Sequence, residues 1–171
     1  MPTMPWQTRV VLRRVVKLLH EIGAVGVLGA FGAMLVLIAT APAPDSLIEY
    51  AASRQGIAAL SRWLLVPSLG LVLVSGLLAM VANDAYIDAG WAWIKALLGL
   101  SMFEGSLVTV AGSARHAAEL SALARSGHGD PVQLAQVLHT EWGGLWLMLA
   151  LSLANILLAV WRPHFSLELE D

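Results

Sequence analysis

The sequence has no cysteine and little charge. Without cysteine there is no disulfide, no thiolate metal site and no thioether-linked haem. Charged residues are 13% of the 171, against roughly 25% in a soluble domain, while hydrophobic residues reach 58% and mean hydropathy is +0.73. Aromatics are only 7%, so the apolar excess is aliphatic, as expected where lipid is the solvent. A net charge of −2 and a pI near 6.2 leave no basic excess for nucleic acid. Also missing are a phosphate-binding glycine loop, a His-Glu-x-x-His helix and a nucleophile elbow, which removes several enzyme classes. The length suits one compact helical unit and is too short for a membrane domain plus a separate soluble one.

What is present is four long apolar runs. Leu18–Thr40, Leu64–Ala82, Trp93–Ala111 and Trp142–Trp161 each approach or exceed the ~20 residues needed to cross a ~30 Å hydrocarbon core. The first run follows Arg9, Arg13, Arg14 and Lys17 like a signal peptide. It is longer than a secretory apolar region, however, and Pro42 would follow the scissile bond, so it is expected to stay as a helix. The expected fold is all-α: a single up-down-up-down bundle of four transmembrane helices over residues 1–171. An inward N-terminus puts six basic residues inside (Arg9, Arg13, Arg14, Lys17, Lys95, Arg162) and four outside (Arg54, Arg62, Arg115, Arg125). That arrangement predicts a multi-pass membrane protein with both termini cytoplasmic.

The outer connections carry helix signals. Asp45 and Ser46 can cap a helix running unbroken towards the second span, where Pro67 is placed to kink it. The third helix meets no stop until Ser126-Gly127-His128-Gly129-Asp130-Pro131, and Pro131 suits the first turn of a helix leading into the fourth span. Helices 2–4 are therefore predicted to extend beyond the outer face, and Asn83–Gly90 to form a short inner connection. On helix 1, Gly23, Gly26, Gly29 and Gly32 form a stripe of small residues, read as a packing face that could also seat another subunit or a second copy. Trp91, Trp93, Trp142, Trp146 and Trp161 near the span ends read as an interfacial belt.

Ionisable residues inside spans cost on the order of 2.5–3.5 kcal/mol at a helix centre, so each is a candidate site. Near the inner end, Glu21 and Lys95 can pair with each other, and His20 lies on the glycine stripe as a candidate haem ligand or proton carrier. Glu104 falls near the middle of the third span, where a carboxyl either keeps its proton or finds a partner such as Ser152 or another chain. Its functional alternatives are a proton relay or a contact to quinone or porphyrin. At the outer end, His116 and His139 are expected at one height, able to ligate haem iron or, with His128, copper. Solvated surface histidines are the plainer reading. Arg62, Arg115 and Glu141 share that layer and read as an ion-pair network able to meet a propionate or a lipid phosphate.

Lys17-Leu18-Leu19-His20-Glu21-Ile22-Gly23 resembles the opening of small four-helix bacterial membrane proteins, among them the HemJ-type protoporphyrinogen oxidases and the CopD-like copper-resistance proteins. Gly90-Trp91-Ala92-Trp93-Ile94-Lys95 resembles the start of the third helix of HemJ-type proteins, and Asn155–Val160 with Trp161-Arg162-Pro163 their closing helix. The resemblance implies bound haem b with functional roles for His20 and Lys95. Ser106 and Glu104 occupy the stretch where that family has a further histidine, and Thr140-Glu141-Trp142-Gly143 replaces its Asn-Glu-x-Pro. The chain thus resembles related, uncharacterised four-helix membrane families more than the oxidases themselves. Three functions are expected in turn: a haem-b-linked redox protein, with Glu104 and Lys95 handling protons or substrate; a copper-handling protein; and a non-catalytic subunit of a larger membrane complex.

Overall fold

A computed structural model describes residues 6–42, 47–82, 86, 89–128 and 130–161. The expected caps Asp45 and Ser46, most of the inner connection and the Arg162-Pro163 exit lie outside the described residues. Among the described residues there is no strand, and the helices form four long rods.

The first rod is α1, Trp6–Ala39. The second joins α2, Leu47–Leu60, to α3, Val66–Val81, through a π-helical turn at Ser61–Leu65. The third joins α4, Gly90–Gly105, to α5, Ser113–Arg125, through a π-helical stretch at Ser106–Gly112. The fourth is α6, Pro131–Trp161. All four are long and apolar enough to cross a membrane, which makes this a four-helix membrane protein. Ile48–Val81 and Gly90–Arg125 run for 34 and 36 residues. At 1.5 Å per residue that is roughly 50 Å, well beyond a ~30 Å hydrocarbon core.

Local chemistry explains the joints. Pro67 has no N–H to give to the carbonyl four residues back, so the ladder must change register around it. The second rod makes that change just before the proline, where the Val66 N–H reaches back five residues to Ser61 O. α5 ends where Gly127 adopts a positive φ of 81°, cheap only for glycine. The Gly127 and His128 N–H groups then close on Ala124 O and Leu123 O at 3.1 Å each, a Schellman motif. Asp130 caps α6 by accepting the Val132 N–H at 2.9 Å, with Pro131 in the first helical position.

The rods pack in a definite pattern. α1 lies along α3, α2 along α5, α3 beside α4, and α6 against both α4 and α5. The core draws on every rod: Phe31 and Met34 from α1, Ile57 and Leu69 from the second, Val110 and Ala114 from the third, Leu145 and Met148 from α6. Outside it, Val25, Val74, Leu97, Val108, Leu153 and Val160 are all more than half exposed. Water would not tolerate so wide an apolar girdle, whereas lipid requires it. Trp93, Trp142, Trp146 and Trp161 are exposed as well, as a belt demands.

The glycine stripe of α1 divides in two. A Cβ on Gly23 would lie 3.0 Å from the Val72 amide nitrogen and 3.1 Å from Ser68 O, and one on Gly26 would strike the Ser68 hydroxyl. These two glycines let α1 and α3 approach backbone to backbone. Gly29 and Gly32 have open space above them. Gly23→Ala is therefore expected to destabilise the bundle by about 1–3 kcal/mol, as overpacking does, while Gly29→Ala leaves its stability nearly unchanged. Thermal unfolding of both variants in detergent measures the difference.

Candidate functional site

The close α1–α3 contact fixes His20, which is half-buried. Its Nδ1 lies 3.1 Å from Val72 O and 3.1 Å from Ser75 Oγ. A carbonyl can only accept, so the network assigns the proton to Nδ1. Ser75 spends its own hydroxyl hydrogen on Leu71 O and can accept from the imidazole. Neutral His20 then carries its lone pair on Nε2, which has no partner among the described residues. Lys95, partly buried on α4, is within electrostatic range of the ring, and Glu21 is exposed.

Glu104 is on the outer surface of the bundle. It shares the exposed face of α4 and the following π stretch with Leu97, Ser101 and Val108. Ser152, its expected partner, is buried and donates to Met148 O at 2.8 Å instead. Helix register explains the miss. Ser152 follows Glu141, Leu145 and Met148 on the inward face of α6, and Glu104 is two residues from inward-facing Met102 and Ser106.

One fully buried polar contact was not singled out by the sequence. Arg54 donates from Nη2 to Glu141 Oε2, joining α2 to α6, with the two side chains 1% and 0% exposed. Tyr50, one turn before Arg54, is also buried and within electrostatic range of both. The Tyr50 hydroxyl, Arg54 Nε and Glu141 Oε1 remain buried without a hydrogen-bond partner. The signal was present: Tyr50, Arg54, Ile57, Ser61 and Leu65 repeat at helical spacing and all are buried.

The expected Arg62–Arg115–Glu141 network does not form. Arg62 stands on the other face of its helix, exposed and 5.3 Å from the Trp63 ring, and Arg115 is exposed. His116 is exposed, at 3.9 Å from Glu119 of its own helix. It borders a shallow groove of about 370 Å³ with Ser113, Gln136 and Thr140, and His139 is exposed without lining it. Among the described residues, no three His, Asp or Glu side chains gather as a metal site, so His116, His128 and His139 do not converge.

No family model, curated protein or solved structure matches the chain.

Removing one partner of a buried ion pair strands the other charge. Arg54→Leu and Glu141→Leu should each lower stability by about 3–5 kcal/mol, and the double variant should lose much less than their sum. A double-mutant cycle by denaturant or thermal unfolding of the purified protein gives the coupling.

Proposed function

We propose that the chain is a haem-b-linked membrane redox protein, similar in kind to the protoporphyrinogen oxidase type, with His20 as an iron ligand. The supporting observation is the division of labour on its ring: Nδ1 is committed to the Val72 carbonyl while Nε2 keeps an uncommitted lone pair. Metal-binding histidines are commonly held this way, the second nitrogen donating to a backbone carbonyl and fixing tautomer and ring plane. The donor set therefore fits a haem iron. Bound haem would supply one-electron chemistry.

The chain's own part is to orient and to meet charge. Ser75 and Val72 hold the ring, and Lys95, within electrostatic range of it, offers an ammonium to a carboxylate of substrate or porphyrin. His116 and His139, with Arg62 and Arg115, are the alternative haem-binding set near the other end of the rods. Their exposure would hold a haem at the surface of the bundle, so His20 is the preferred ligand. After haem-replete expression the purified protein should show a Soret band, lost or strongly weakened in His20→Ala and kept in His116→Ala. A colourless wild-type preparation rules the proposal out.

A second reading, as a non-catalytic subunit of a larger membrane complex, is favoured by the open faces of Gly29 and Gly32. It requires that Gly29→Leu release the chain from its assembly, as read by native gel migration of solubilised membranes.

A further inference from the structure

A carboxyl group does not rest against lipid tails without a partner. Glu104 is about eleven residues, or roughly 16 Å, along the helix from Trp93, which places it near mid-membrane. Its side chain is on the exposed surface of the bundle. The apolar runs Leu18–Thr40, Leu64–Ala82, Trp93–Ala111 and Trp142–Trp161 hold no arginine and one lysine, Lys95, which lies more than two turns before Glu104 on the same helix. The residues sharing its face, Leu97, Ser101 and Val108, are all exposed and recur at spacings of four, three and four. That is the repeat of a left-handed helix–helix seam, with small Ser101 allowing close approach beside the carboxyl.

We propose that this stripe is an interface between two copies of the chain, centred on Glu104. Copies inserted in the same orientation can be related by a two-fold axis only along the membrane normal, so each residue near the axis meets its own counterpart at equal depth. Glu104 then faces Glu104. A carboxyl is complementary to itself once the two share a proton, one oxygen donating and the other accepting, so a second copy supplies what the single bundle lacks. The interface uses α4 rather than the α1–α3 contact that holds His20, and stands or falls independently of the haem reading.

The cysteine-free sequence makes the test direct. Ser101→Cys and Val108→Cys variants of the full chain, in proteoliposomes of phosphatidylcholine and phosphatidylglycerol, are treated with copper-phenanthroline. Both should yield disulfide-linked dimers well above Val74→Cys on α3 and Leu153→Cys on α6, positions that are also exposed. Adding Glu104→Leu to Ser101→Cys should reduce the dimer yield about tenfold, the effect of one lost interhelical hydrogen bond, whereas Glu104→Gln should retain most of it. Equal crosslinking at all four positions, no crosslinking at Ser101→Cys and Val108→Cys, or indifference to Glu104→Leu would each overturn the interface.

Discussion

Lipid gives apolar side chains no reason to leave it, so the association of helices in this chain rests on backbone proximity and polar contact. The α1–α3 pair is the proximity case. Gly23 and Gly26 bring the two backbones so near that an added Cβ would meet main-chain atoms or Ser68. His20 can bond to Val72 O only because that approach has been made. The Arg54–Glu141 pair is the polar case, tying the α2 half of the second rod to α6. Between them these contacts fix α1, both halves of the second rod and α6. The apolar core then fills the space they define.

Buried charge is tolerated at Arg54 and Glu141 because each is the other's counter-ion, not because the pair is a net source of stability. Three polar atoms around it are still unpaired, on Tyr50, Arg54 and Glu141. An apolar trio of similar volume would satisfy the same packing without that cost. What the pair supplies instead is specificity, since only one register of α2 against α6 brings guanidinium and carboxylate together, whereas two apolar faces could slide. The continuous helix through the π turn at Ser61–Leu65 transmits that register to α3, and so to the partner of α1.

Much of this was legible in the sequence, and the reasons for what was not are physical. Spans are a property of composition and length, so the four rods followed from apolar runs alone. Their ends followed from local chemistry: Gly127 at the close of α5 and Asp130-Pro131 at the start of α6 act within one turn. His20 and Lys95 were placed together by depth, and the structure brings them within electrostatic range. Depth does not give the angle around the helix, and there the reading failed. Arg62 was expected to meet Glu141, but it falls on the exposed face of the second rod, and Arg54, eight residues earlier, is the basic residue on the buried face. Arg54 falls in line with buried Ile57, and Arg62 falls beside exposed Trp63. The same ambiguity paired Glu104 with Ser152, which lies on an inward face.

The chain therefore treats two membrane-region carboxylates in opposite ways. Glu141 is given a guanidinium, full burial and a place in the core. Glu104 is given an outward face beside a π-helical stretch that begins two residues later. A π turn costs hydrogen-bond geometry and recurs at functional positions, because it rotates one face of a helix relative to the next. Here it joins α4, which presents Glu104 and packs on α3 and α6, to α5, which packs on α2 and α6. It is the outward carboxyl of Glu104, not the buried Arg54–Glu141 pair, that the single bundle leaves without a partner among the described residues.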